Sequence, residues 1–365
     1  MRVLYVGKFD PYETGGTRRA YEVVRRLPKY GVEPYILDVR HVPGDYLTRI
    51  GALRSLKEHL VLAKSLDDIR KLNVDIVVAT SESPSSVLTA YYLAKKLNKP
   101  WTVIMQLPII LRYTPASTEP ILIDPLWLPQ QVYTAYLLRK TVVLTVSEAC
   151  IIESTIKPPR YIAIKPGVGI DFEKYQKVTV QSKPYDAVFM ARLTPEKGIF
   201  DIIRIWRNVA KEIPDAKLVI AGRFKNMRVA GKFYDLVRKY GLERNITYLG
   251  YVPEEKKVIL LKSAKLFVYP SKLDAFPIVV LEALACGLPI VAYDIPAIRC
   301  NYPYTIVSRV SKGDMEKLAK AIIEFLMGER GLRAISSLAI FFASKFTWDN
   351  VARAEAQVLS QLLLH

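Results

Sequence analysis

At 365 residues, with 51% hydrophobic and 10% aromatic side chains, the chain has the length of about two domains and a folded composition. An excess of 53 Lys+Arg over 35 Asp+Glu, a formal +18, favours anionic partners (nucleic acid, anionic lipid or phosphorylated small molecules) and equally suits a solvated basic surface. No apolar run reaches the ~18 residues of a membrane span, Met1-Arg2-Val3-Leu4-Tyr5-Val6 reads as a strand rather than a secretory leader, and three histidines with three scattered cysteines (Cys150, Cys286, Cys300) argue against a metal centre and for a reducing cytosol.

Strands and helices alternate along the chain, which predicts an α/β protein built on doubly wound parallel sheets. In the first half, strands fit 2–6, 34–39, 75–79, 101–105, 142–146 and 161–165, with helices over 17–27, 51–72, 85–97 and 130–139. Tyr12-Glu13-Thr14-Gly15-Gly16-Thr17 leaves the first strand and opens the first helix. Paired glycines there let backbone approach a phosphate at a helix start, or simply close a tight connection. The pattern is neither G-x-G-x-x-G nor a P-loop, so dinucleotide and NTP readings gain nothing.

Over 51–72, Leu53, Leu56, Leu60 and Ala63 form an apolar stripe beside Arg54, Lys57 and Lys64. Such a helix either packs on the core with a solvated basic face or lies on anionic lipid. The Pro- and apolar-rich stretch from Leu107 to Leu128 follows the strand that ends before Gln106, and can receive a lipid-linked acceptor or dip into a bilayer interface. A domain boundary falls near 167–184, where Pro166-Gly167-Val168-Gly169 leads into a polar stretch.

In the second half, strands fit 186–190, 217–221, 246–249, 266–269, 289–293 and 304–307, and helices 198–212, 228–240, 254–263, 278–286 and 314–327. Ala191-Arg192-Leu193-Thr194-Pro195-Glu196-Lys197-Gly198 joins the first of these strands to its helix, so Arg192 and Lys197 can converge on one diphosphate. The segment from Ser271 to Val291 holds an acid in a loop, Asp274, and a second just inside a helix, Glu282. The helix opens on Ile278 and Val279, whose bare N–H groups suit an anion, while carboxylates on either side can accept hydrogen bonds from sugar hydroxyls.

Together the glycine loop, Arg-x-x-x-x-Lys-Gly and Asp-x7-Glu resemble the retaining family 4 (group 1) glycosyltransferases of GT-B fold. Pro166-Gly167-Val168-Gly169-Ile170-Asp171 and Phe346-Thr347-Trp348-Asp349 are similar to the family's domain-boundary turn and C-terminal helix start. The resemblance implies two Rossmann-like domains facing across a cleft. Residues 1–170 would form an acceptor-side domain, 171–345 a nucleotide-sugar domain, and 346–365 a helix packing back toward the first.

It further implies that Arg192 and Lys197 neutralise the donor diphosphate, helped by N–H groups near Ile278 and Val279 and faced by Gly15 and Gly16. Glu282 would bind ribose, while Asp274, with Ala275, Phe276, Pro277 and Gln106, would surround the transferred sugar. Tyr251 and Val252 would lie near the base. No Asp-x-Asp occurs, so departing charge would be met electrostatically, without metal or cofactor. The reaction implied moves a hexosyl or N-acetylhexosaminyl unit, with retention, from a UDP- or GDP-sugar to a lipid-linked, saccharide or small-molecule acceptor. The place implied is the cytoplasm or the cytoplasmic membrane face.

Two departures stand out. Asp274 occupies a place where the family usually has Glu, and Gln106 one where many members have His. They keep open a catalytically weak nucleotide-sugar sensor. A nucleic-acid-binding protein rests on charge alone, since zinc-finger spacing, ribonucleoprotein aromatics and a basic tail are all missing.

Overall fold

The computed structural model describes residues 1–11, 14–39, 66–109, 128–328 and 332–364. The apolar and basic stripes over 53–64, Tyr12-Glu13, and all of the loop between Ile109 and Leu128 lie outside the described residues. Two compact units emerge: unit 1 from Met1–Tyr113, Leu122–Gly169 and Phe346–His365, and unit 2 from Ile170–Lys345.

Unit 1 carries strands β1 (Arg2–Gly7), β2 (Glu33–Asp38), β3 (Ile76–Ala79), β4 (Trp101–Met105), β5 (Val143–Thr145) and β6 (Tyr161–Ala163), all parallel, in the order β2-β1-β3-β4-β5-β6. Unit 2 carries β7 (Tyr185–Met190), β8 (Leu218–Ala221), β9 (Ile246–Tyr248), β10 (Ala264–Tyr269), β11 (Ile290–Asp294) and β12 (Val307–Ser311), also parallel, in the order β12-β11-β10-β7-β8-β9. This is the GT-B architecture, two doubly wound sheets with flanking helices. Central strands such as β3 and β8 are buried at every residue, as parallel strands covered on both faces must be.

The described helices of unit 1 are α1 (Gly15–Val24), α2 (Leu66–Lys71), α3 (Pro84–Leu97), α4 (Leu128–Leu138) and α5 (Glu148–Glu153). Those of unit 2 are α6 (Phe172–Lys177), α7 (Ile199–Glu212), α8 (Met227–Lys239), α9 (Glu254–Lys262), α10 (Ile278–Ala285), α11 (Pro296–Asn301), α12 (Met315–Met327) and α13 (Leu332–Ala343). The chain then returns to unit 1 with α14 (Trp348–Leu364). Local chemistry sets many starts. Thr14 and Thr17 form a reciprocal capping box on α1, and Asn226 and Asp314 cap α8 and α12. In α7, Ile199, Ile202, Ile203, Trp206 and Val209 recur on one buried face.

One strand moves. The expected strand 304–307 is observed as β12 over Val307–Ser311, paired with β11 from Ile290↔Val307 to Asp294↔Ser311. Residues 304–306 form a turn after Pro303, where the Ile306 N–H donates to the Pro303 carbonyl instead of a ladder.

The return of α14 to unit 1 is fixed by charge as well as by apolar packing. Arg19 of α1 pairs with Glu355 at 2.7 Å, both 1% exposed, and its Nε donates to the Gly167 carbonyl at 2.6 Å. Tyr5 Oη donates to the other Glu355 oxygen at 2.8 Å. Burial first, and then the Glu355 charge, push the Tyr5 phenol well above its ordinary pKa.

Candidate functional site

In each sheet the chain departs from its first strand to one side and later returns on the other, so a crevice opens where the order reverses. In unit 2 that point lies between the carboxyl ends of β7 and β10, and the two loops leaving them are tied together. Lys272 N donates to the Glu196 carbonyl at 2.8 Å. Gly198 has φ 84°, and a Cβ there would lie 2.1 Å from the Pro270 carbonyl oxygen, so only glycine fits this approach. Gly222 at the end of β8 is equally confined, at φ 142° and with a Cβ that would lie 1.8 Å from the Ala191 carbonyl oxygen. Backbone bonds Leu193 N to Arg223 O (2.9 Å) and Lys225 N to Leu193 O (3.2 Å) join this third loop to the others.

On that frame Lys197 meets Asp274, with Nζ 2.6 Å from Oδ2 and each side chain 15% exposed, and also donates to the Leu273 carbonyl at 3.1 Å. Tyr269 Oη donates to the same carboxylate oxygen, and Ala275 N to the other at 2.8 Å. Burial pushes the Asp274 carboxyl up, but the Lys197 charge and these hydrogen bonds outweigh it and hold it below its ordinary pKa. The shorter side chain of Asp274 is therefore engaged by both loops and by the end of β10. Arg192 is exposed, and among the described residues its guanidinium makes no hydrogen bond or ion pair.

Asp274-Ala275-Phe276-Pro277 leads into α10. Tyr302 Oη donates to the Pro277 carbonyl at 2.8 Å, and Asn301 Nδ2 to that of Ala275 at 3.0 Å, fixing how the helix begins. Ile278 and Val279, both half-buried, start the helix, where N–H groups have no intrahelical acceptor. Glu282, 2% exposed, accepts from Lys257 Nζ of α9 at both oxygens, 2.9 and 3.0 Å, and Lys257 also lies 2.6 Å from Glu254. Burial would lower the Lys257 ammonium pKa, yet the two carboxylates outweigh it and raise it above the ordinary value. Tyr251 is 54% exposed, with the Arg223 guanidinium 4.4 Å from its ring centre, and Val252 beside it is half-buried.

In unit 1 the reversal lies between β1 and β3. Gly16 packs so closely on Gln106 that a Cβ would lie 2.7 Å from its Oε1. Gln106 Nε2 donates to the Thr80 carbonyl at 2.6 Å, and its backbone N–H to Glu82 at 2.8 Å. Burial raises the Glu82 carboxyl above its ordinary pKa despite that bond and one from Leu107 N.

Within unit 2 the structure thus gathers Arg192, Lys197, Asp274, Ala275, Phe276, Pro277, Ile278, Val279 and Glu282 on neighbouring loops. Within unit 1 it joins Gly16, beside Gly15, to Gln106. Sequence reading missed Lys257, Arg223 and Glu82. A cation three residues after Glu254, directly behind Tyr251-Val252-Pro253, was the available signal for Lys257.

Such an assembly offers cations and helix-start N–H groups to an anion, with carboxylates flanking them. Residues 171–337 match the family described as Glycosyl transferases group 1. The GT-B fold is shared with the Anabaena Alr3699/HepE structure in complex with UDP and glucose, at TM-score 0.76 and 16% identity over 99% of this chain and 100% of that one. Two curated relatives are the poly(glycerol-phosphate) alpha-glucosyltransferase of Bacillus subtilis, 28% identical over 51% of this chain, and the D-inositol 3-phosphate glycosyltransferase of Mycobacterium bovis, 26% identical over 54%. The matched stretches span 27% and 43% of those relatives' own lengths. The chain has the GT-B fold, and its residues 171–337 are similar to the group 1 glycosyltransferases.

Proposed function

We propose that the protein transfers a glycosyl group from a nucleoside-diphosphate sugar to a saccharide, lipid-linked or small-molecule acceptor, with retention and without a metal. The carrying observation is the start of α10 in the group 1 segment. Its first N–H groups have no intrahelical acceptor or side-chain cap; Lys197 is tied to Asp274 just before the helix, and Glu282 is buried within it. An anion at the helix start gains from the dipole and from charge-assisted bonds. Arg192 and Lys197 serve the diphosphate, and Glu282 accepts from the ribose hydroxyls. Asp274, with the backbone of Ala275 to Pro277, borders the transferred sugar. Tyr251 and Val252 border the base.

Cleavage of the sugar–phosphate bond leaves negative charge on the diphosphate, which these groups stabilise where it develops. The acceptor hydroxyl attacks from the leaving-group face, and a phosphate oxygen takes its proton. Glu282 first has to share its carboxylate with ribose. Lys257, which now bridges its two oxygens, then turns to Glu254, which it already touches.

Calorimetric titration with UDP, GDP and their sugars, with and without magnesium, tests the donor site. Binding of one diphosphate independent of magnesium supports the reading, and no binding of any of them refutes it. A second reading, a nucleotide-sugar sensor, is favoured by Lys197 and Lys257 being already occupied by Asp274 and Glu282. Donor-dependent hydrolysis or transfer excludes it. A lipid-linked acceptor would place the reaction at a cytoplasmic membrane face, to which the +18 charge draws the chain. Among the described residues no helix is long and apolar enough to cross a membrane. Co-sedimentation with anionic vesicles at physiological salt checks that placement.

A further inference from the structure

A cavity in unit 1 lies away from the carboxyl edge that holds Gly16 and Gln106. It sits where α3 ends, β4 begins and α4 ends, with a volume of about 640 Å³ and an open mouth. That size falls within the roughly 300–1,000 Å³ of small-molecule sites. Three aromatic rings wall it, Tyr91, Trp101 and Tyr136, and three lysines ring it, Lys95, Lys99 and Lys140. Tyr91 and Trp101 meet edge to face at 5.5 Å, which sets two ring planes at a steep angle.

The charge is one-sided. Among the described residues no carboxylate lines the cavity, and none of the three lysines lies within ion-pairing distance of one. Two of them lie over aromatic faces: Lys95 Nζ is 5.8 Å from the Tyr91 ring centre and Lys140 Nζ 5.0 Å from that of Tyr136. Cations near helix carboxyl ends suit the helix dipole, which explains their places but leaves their charges uncompensated. A ligand for this cavity must bring anions, spread enough to meet lysines from two separate helix ends, and flat apolar faces for the rings.

Sugar rings have such faces, because their axial C–H groups lie on one side while hydroxyls project from the rim. Ring carboxylates supply the charge. We propose that this cavity binds an acidic oligosaccharide, one whose units carry carboxylate groups. Trp101 and Tyr136, the latter already stacked on Tyr133 with ring centres 6.1 Å apart, border its sugar rings, and Lys95, Lys99 and Lys140 pair with its carboxylates. A concave mouth favours a chain of sugars over a bilayer surface, which could reach only the rim. The site is independent of the donor site: loss of nucleotide binding would remove the transferase reading and leave this one standing.

Calorimetric titration of the full chain with trigalacturonic acid, at about 0.15 M salt to screen diffuse attraction, tests it. Trigalacturonate is expected to bind, and maltotriose, its uncharged counterpart in length, at least roughly tenfold more weakly (about 1.4 kcal/mol). The pair Lys99→Gln/Lys140→Gln should weaken trigalacturonate binding by a similar factor. Tyr136→Ser, at a side chain 51% exposed and so replaceable without unfolding, should weaken it severalfold. The pair Lys211→Gln/Lys239→Gln, which removes the same charge from exposed positions on unit 2, should leave it unchanged, as should UDP affinity in every variant.

Four results would overturn the proposal. One is trigalacturonate failing to bind; another is equal weakening by both lysine pairs, which reduces the effect to net charge. Tripolyphosphate binding as tightly and ignoring Tyr136→Ser would make this a bare anion site. Phosphatidylglycerol-rich vesicles that need Lys99 and Lys140 while trigalacturonate does not bind would make it a membrane surface.

Discussion

Two sets of buried ion pairs behave differently by construction. In unit 1, Arg19 and Glu355 are each 1% exposed, and the Gly167 carbonyl and Tyr5 add a further hydrogen bond to each. In unit 2, Lys197–Asp274 and Lys257–Glu282 lie on loops and helix starts at a carboxyl edge, with both lysines still 13–15% exposed. The first set is closed off from solvent and from any ligand. The second can pass a cation from carboxylate to ligand, because a lysine ammonium carries three donors on a flexible stem. Burial sets the cost of breaking a pair, whereas access decides whether the pair can be exchanged.

The largest effect should come from breaking the closed set. Glu355→Leu leaves Arg19 buried and unpaired, at a cost of roughly 3–5 kcal/mol and a fall in Tm on the order of 10 °C. Urea unfolding measures it, and replacing Arg19 by Met in the same chain should restore most of the loss. A Glu355→Leu chain as stable as the parent would erase the distinction between the two sets.

Next comes the exchangeable edge. Arg192→Ala removes an exposed guanidinium and should leave Tm unchanged while weakening the binding of the diphosphate that binds by roughly tenfold or more, the ~1.5–3 kcal/mol of a charge-assisted bond. Unchanged affinity in calorimetry would move the phosphate elsewhere. Glu254→Gln is subtler, since Glu254 is 41% exposed and its pair with Lys257 is worth at most ~1 kcal/mol. It should lower donor affinity about threefold, because Lys257 loses the carboxylate to which it turns. If affinity instead held or rose, Lys257 would not change partners.

The smallest effect is one of pH. The Asp274 pKa lies below its ordinary value when folded, so its contribution is complete above the ordinary carboxylate range and is lost as pH falls through the lowered one. Asp274→Asn should therefore be less stable than the parent near neutrality and converge with it in acid, as read by unfolding between about pH 2 and 7. Parallel curves would remove Asp274 from the set of paired groups.

Much of this was legible in the chain because it is local. β3 and β8 are continuous apolar runs, and the glycines at 198 and 16 mark loops where the backbone comes close to a neighbour. The acids of 274 and 282 sit on either side of a helix start that the sequence alone locates. What escaped depends on neighbours distant in sequence. Lys257 meets Glu282 across 25 residues of chain, from a different helix. Glu82 reaches Gln106 across 24 residues, and Arg223 lies beside Leu193 only because β7 and β8 are adjacent. The start of β12 shifted by three residues because Pro303 turns the chain before the ladder can begin. No propensity of Tyr304-Thr305-Ile306 signals that.

The Arg19–Glu355 pair also sets an order of events at the ribosome. Its partners are 336 residues apart, so Glu355 is synthesised roughly 17–67 s after Arg19 at about 5–20 residues per second. Once β6 has been made, unit 1 has every strand of its sheet but still lacks the carboxylate that Arg19 needs to be buried. The nascent first half must keep this arginine in water, or on a chaperone, until Glu355 emerges. A ribosome stalled before that point would therefore leave a first half unable to close its own core.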